Sequence, residues 1–135
     1  MIKVSSITLI ILTVFIFSSF IPDPKLNESI KRGKEVYALN CQNCHMEDGK
    51  GMPEINPPVA KADYIKKPAK NLIGIILKGQ TGNVVVNGKK YNIDMPAQEY
   101  LTDEQIADVL NYVRNSWGNK IPGTITPATV KALRK

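Results

Sequence analysis

The sequence predicts a small all-α domain, three to five helices joined by loops, with one minor β-hairpin. Three observations carry this. Apolar residues recur at helical spacing in several stretches, most clearly Ile106, Val109, Leu110 and Val113. Glycine and proline punctuate the segments between those stretches. One stretch alone, Val84-Val85-Val86 and Lys89-Lys90-Tyr91 about an Asn87-Gly88 turn, reads as paired strands.

Taken in order, the chain opens with Lys3 and an uncharged run from Val4 to Ile21, after which Pro22-Asp23-Pro24 stops any helix. Residues 1–21 read as a signal peptide, or as a retained membrane anchor, since a run of about 18 residues sits at the spanning threshold. Either reading places the remainder outside the cytoplasm, periplasmic or tethered to the inner membrane facing the periplasm. Residues 22–28 read as a linker that passes into a first helix from Leu26, with Asn27 as its cap. Residues 29–118 form the domain. Leu26, Ile30, Gly33, Val36, Tyr37 and Asn40 share helical spacing and lead into Cys41.

After His45 the chain turns loop-like, with Gly49, Gly51, Pro53, Pro57 and Pro58. A short helix is expected over Ala60 to Ile65. Pro68 opens another, whose Leu72, Ile73, Ile76 and Leu77 line one face before Gly79 ends it. Beyond the hairpin comes an irregular Met95-Pro96. Thr102 and Gln105 then make a capping box for the helix that Gly118 closes. Residues 119–135 form a C-terminal extension with a short helix from Thr126-Pro127.

The 135 residues suffice for one domain. The net charge is +6, of which Lys3 alone falls in the first 21 residues. Acidic residues are plentiful and no long basic run occurs, which excludes a nucleic-acid partner. A mild positive charge suits an acidic protein partner. Lys61, Lys66, Lys67 and Lys70 crowd one stretch, as a solvated face or a docking patch.

Both cysteines lie in Cys41-Gln42-Asn43-Cys44, too close to staple a scaffold, and His45 follows directly. Two cysteines three positions apart on a helical turn can reach two vinyl groups on one edge of a haem. The next imidazole then falls under the iron. A thioredoxin-like dithiol would need a βαβ setting. A structural zinc site would need four ligands, and His45 is the sole histidine. The chemistry read here is therefore one covalent haem c per chain, with His45 on its iron.

A closed electron-transfer site needs a second axial ligand. Met1 lies in the export segment, Met46 adjoins His45, and Met52 is too near to round the haem edge. Met95 stands 50 residues beyond His45, stiffened by Pro96, and is the candidate. The bland alternative is a core methionine filling a gap.

The ordered set Gly33-x-x-Val36-Tyr37, Cys41-Gln42-Asn43-Cys44-His45, Asp48-Gly49-Lys50-Gly51, Asn56-Pro57-Pro58, Met95-Pro96 and Leu101-Thr102-Asp103-Glu104-Gln105-Ile106-Ala107 to Tyr112-Val113-Arg114 resembles the bacterial class I c-type cytochromes, over roughly Ser29 to Gly118. The resemblance implies the cytochrome c fold, with Gly33 and Tyr37 meeting Val109 and Tyr112 where the first and last core helices cross. It implies that a proline carbonyl accepts a hydrogen bond from the ligand imidazole, a role assigned to Pro57 or Pro58, with Pro58 favoured. Two departures stand out: Met46 occupies a position that is often glycine, and Trp117 is a packing residue with no propionate role.

The function implied is single-electron transfer between redox proteins such as a dehydrogenase, reductase or oxidase. The chain would be a carrier and not an enzyme, or else a c-haem subunit of a membrane or periplasmic oxidoreductase. Ile65, Leu72, Ile76 and Leu77 are expected against the macrocycle.

Overall fold

The computed structural model describes residues 23–134. The segment 1–21, and with it the signal-peptide or anchor expectation, lies outside the described residues. Five α-helices are found there: α1 (Pro24–Asn40), α2 (Gln42–His45), α3 (Ala69–Lys78), α4 (Asp103–Arg114) and α5 (Pro127–Leu133). A 3-10 turn, Asp63–Lys66, precedes α3, and strands β1 (Val84–Val86) and β2 (Lys89–Tyr91) follow it. The hairpin is antiparallel in the register Val84↔Tyr91 and Val86↔Lys89. Asn87 and Gly88 both take positive φ, 50° and 78°, as its two-residue turn requires.

α1 begins earlier than expected, so the residues read as a linker are largely helix. Asp23, not Asn27, is the cap: its carboxylate accepts from Lys25 N–H at 3.0 Å. Pro24 takes the first helical position, where its fixed φ and missing N–H cost nothing. At the other end of the domain the Thr102–Gln105 capping box forms, with bonds of 3.1 and 2.9 Å. α4 ends at Arg114, before Trp117 and Gly118, both of which take positive φ. The short helix expected over Ala60 to Ile65 is the 3-10 turn at Asp63–Lys66.

α1 and α4 form the most extensive helix pair. A Cβ at Gly33 would collide with the Asp108 carbonyl and stand 2.8 Å from Tyr112 Cβ, so only glycine permits the approach. The close backbone partner is thus Asp108, one residue before the expected Val109, while Tyr112 is met as foreseen. Beside this crossing lies a buried polar cluster. Asp108 accepts from Ser29 Oγ at 2.5 Å and from Arg32 Nε at 2.6 Å. Asn111 donates to Ser29 Oγ and to Ile125 O, each at 2.9 Å. Asn111 Oδ1 accepts from Ile125 N–H, which draws the C-terminal extension onto the core. Val130 of α5 is fully buried. The extension is therefore part of the packed domain.

Candidate functional site

α1 runs into α2 through Cys41, whose carbonyl accepts from Cys44 N–H at 3.2 Å and from His45 N–H at 2.9 Å. One turn therefore carries both thiols and the imidazole. Met46 then departs at φ 62°, ψ 162°, a region that only glycine occupies readily. This is the physical reason for a glycine preference there. Tyr37 holds the strained residue, its hydroxyl donating to Met46 O at 2.7 Å. Trp117 closes the far side: its ring packs 5.0 Å from Tyr37 and against Gly49, and its Nε1 donates to Glu47 O at 3.1 Å.

His45 Nδ1 stands 3.0 Å from the carbonyl of Pro57, not of Pro58. The assignment to Pro58 is corrected: Pro58 lines the same cleft, but its neighbour's carbonyl takes the bond. The reason is the folded-back loop before it. Gly51 N–H donates to His45 O at 3.0 Å, and Met52 and Asn56 exchange backbone bonds. Gly51, at φ 66°, lies so close that a Cβ would stand 2.6 Å from Pro57 O. A carbonyl can only accept, so Nδ1 carries the proton and Nε2 keeps its lone pair. Burial lowers the His45 pKa, against the raising pull of the Pro57 bond, and favours the neutral ring. Burial, with the charge of Cys44 beside it, pushes the Cys41 thiol up to about 11.

Cys41, Cys44, His45 and Met95 all line one cleft. Its other walls are mostly apolar: Ile65, Leu72, Ile75 and Ile76 from the 3-10 turn and α3, Val84 and Val86 from the hairpin, Val109 and Val113 from α4. Leu77 does not line it. Leu77 is buried in the core on another side of α3, and Ile75 takes the expected place. Empty space within and at the mouth of the cleft is about 1070 Å³. That figure includes the open solvent at its mouth. Two thiols, a neutral imidazole and a thioether around an apolar slot fit a haem attached through sulfur.

The functional residue that sequence reading passed over is Gly51. In the sequence it is one loop glycine among several, yet its missing Cβ lets the Pro57 carbonyl reach His45. Its signal was the pair of glycines just after the histidine.

Comparison with known proteins agrees with this chemistry. A family model described as Cytochrome c matches residues 30–117. Cytochrome c-552 of Thermus thermophilus is 37% identical over 109 residues, which cover 76% of this chain and 82% of that protein. The cytochrome c subunit of alcohol dehydrogenase (quinone) from Gluconobacter oxydans (strain 621H) is 34% identical over 106 residues, covering 76% of this chain and 22% of the subunit. The gluconate 2-dehydrogenase cytochrome c subunit of Pantoea cypripedii is 38% identical over 106 residues, 76% of this chain and 24% of the subunit. The chain thus spans about a quarter or less of these dehydrogenase subunits. With cytochrome c-552 matched over most of its length and the family model over most of the domain, the chain belongs to the cytochrome c family, whose cofactor is a covalently bound haem c.

Proposed function

We propose that Cys41 and Cys44 form the two thioether links, that His45 and Met95 are the axial ligands, and that the chain shuttles single electrons between redox proteins outside the cytoplasm. The observation that carries this reading is that two segments 50 residues apart bring a helix-borne Cys-x-x-Cys-His and Met95 to one apolar cleft. A haem held there would supply one-electron chemistry between the ferric and ferrous states of its iron.

The protein's own contribution is position and environment. Pro57 orients the imidazole and raises its basicity. The apolar walls exclude water and disfavour added positive charge on the iron. Cys44 is exposed, so the attached edge opens to solvent where a partner can approach.

The partner surface is argued from charge. Residues 61–90 hold Lys61, Lys66, Lys67, Lys70, Lys78, Lys89 and Lys90 against Asp63 alone, so this segment carries +6, the net charge of the whole chain. All seven lysines are exposed, and among the described residues none is in an ion pair. The same segment builds much of the cleft wall. An acidic redox partner is therefore drawn to the cleft side. The second reading, a c-haem subunit of an oxidoreductase feeding a respiratory chain, is favoured by the dehydrogenase subunits among the relatives. Export through residues 1–21, cleaved or retained as an anchor, belongs to both.

The test is Met95→Ala. The variant is expected to keep its haem through denaturing electrophoresis while its ferric spectrum turns high-spin and its potential falls. A ferric spectrum that stays low-spin and unchanged would remove Met95 from the ligand set. Haem lost on the gel from the unsubstituted protein would remove the thioethers.

A further inference from the structure

Met95 is tied to one other place in the fold through its backbone. Its N–H donates to Gln80 O and its carbonyl accepts from Gln80 N–H, both at 2.9 Å, as an isolated antiparallel bridge. Gln98 N–H adds a bond to Ile76 O at 2.7 Å, within the last turn of α3. Gly79 is the junction. It ends α3 at φ +76°, and a Cβ there would stand 2.6 Å from Met95 O and 3.0 Å from Ala97 N. The Gln80 side chain is held as well: Tyr64 hydroxyl donates to its Oε1 at 3.3 Å, and its Nε2 donates to Thr81 O at 3.2 Å. Tyr64 and Gln80 both line the cleft. Gly82, at φ +75°, makes the contrast, with no atom within 4 Å of the position its Cβ would take.

We propose that Gly79 and Gln80 are positioning residues for Met95, a backbone clasp between the end of α3 and the ligand segment that keeps the thioether in place. The proposal rests on the reading of Met95 as an axial ligand. A methionine has three rotatable bonds and a soft, uncharged sulfur, so its side chain supplies little stiffness of its own. The segment around it is otherwise irregular. What fixes the sulfur is then the backbone bridge, and the bridge forms only because Gly79 has no Cβ to push Met95 O away.

The measurable consequence is competition. Imidazole added from solution can take the position only in molecules where Met95 has moved off, so its apparent affinity scales with that open fraction. The experiment titrates the ferric holoprotein with imidazole, following the methionine–iron charge-transfer band, in the unsubstituted protein, Gly79→Ala, Gly82→Ala and Met95→Ala. Gly79→Ala and Gly82→Ala both place alanine at positive φ, but only the first meets Met95. Gly79→Ala is expected to bind imidazole about tenfold tighter with a weakened band, and Gly82→Ala to stay within about twofold of the unsubstituted protein. Equal imidazole affinity in the two alanine variants overturns the clasp.

Met95→Ala separates the two premises. If it removes the band while the alanine variants behave alike, the clasp alone fails. If it leaves the band and the affinity untouched, the ligand reading fails and the clasp falls with it. Should Gly79→Ala not accumulate, amide exchange on the unsubstituted holoprotein decides. Matched, slow exchange at Gln80 and Met95 is expected, and a Met95 amide exchanging as freely as an unprotected loop overturns the proposal.

Discussion

Arg32 grips Asp108 with two bonds, Nε to Oδ2 at 2.6 Å and Nη2 to Oδ1 at 2.9 Å, although the arginine is half exposed and the carboxylate almost wholly buried. The same carboxylate also takes the Ser29 hydroxyl. Removing the two partners therefore has unequal effects. Asp108→Ala removes the buried charge itself, leaving Ser29 its bond from Asn111 and the half-exposed Arg32 its contact with Glu104, and is expected to cost about 2 kcal/mol. Arg32→Ala leaves an almost wholly buried carboxylate without its cation and with the Ser29 hydroxyl as its remaining side-chain partner, and is expected to cost more than Asp108→Ala. Denaturant midpoints at constant slope measure both, and equal losses would refute the asymmetry.

Gly51 and Pro57 support a second prediction. A Cβ at Gly51 would press on the Pro57 carbonyl that accepts from His45, and φ 66° adds backbone strain. Gly51→Ala is expected to lower stability by about 2 kcal/mol and to shift the midpoint potential, because the imidazole loses its orienting acceptor. Redox titration beside a denaturant melt checks this. A loss of stability with an unmoved potential would mean that the loop tolerates the shift without disturbing the ligand.

Acid should weaken the fold in two windows. Burial holds His45 below its ordinary value near 6.5. Below that pH the unfolded chain takes up a proton that the folded chain refuses, so stability present above about 6.5 declines as pH falls, by at most about 1.4 kcal/mol per unit. Ligation needs the neutral ring and acts with the same sign. Asp48, held below its ordinary value near 3.8 by its bond to Lys50, adds a loss only at lower pH. The guanidinium midpoint is expected to be lower at pH 5 than at pH 7, and an unchanged or higher midpoint would contradict the first window.

Charge reversal at Lys66 and Lys70 should slow association with an acidic redox partner about tenfold at low salt and leave dissociation nearly unchanged, the difference vanishing as salt is raised. Stopped-flow electron transfer at two ionic strengths tests it. The same reversal at Lys31 and Lys34 on α1 should do much less, because those lysines lie outside the 61–90 segment.

What could be read in the sequence was local. The Thr102–Gln105 box, the Asn87-Gly88 turn and the Cys-x-x-Cys-His turn depend on residues a few positions apart, and each forms. Met95 in the cleft was reachable by eliminating the other methionines. What escaped depends on distant partners. Asp108 sits in an ordinary-looking polar stretch, and its burial follows from Ser29 and Arg32, more than 70 residues earlier. The choice between Pro57 and Pro58 turns on how Gly51 lets the loop fold back. Ile75 replaces Leu77 in the cleft because α3 packs on α4 and α5 as well as on the cleft, and periodicity within α3 alone cannot rank those sides. Asp23 and Pro24 read as a break in the sequence yet cap and open α1, because a proline that cannot continue a helix fits its first position.

The gathering of all excess charge in residues 61–90 leaves the rest of the chain balanced. The excess positive charge thus sits on the segment that walls the cleft. In the field of an acidic partner a body so charged experiences a torque as well as a pull, so it rotates before it touches. Collisions then begin with the electron-bearing side already foremost. A greater share of them is productive, and none of that gain requires the final complex to be tight or long-lived.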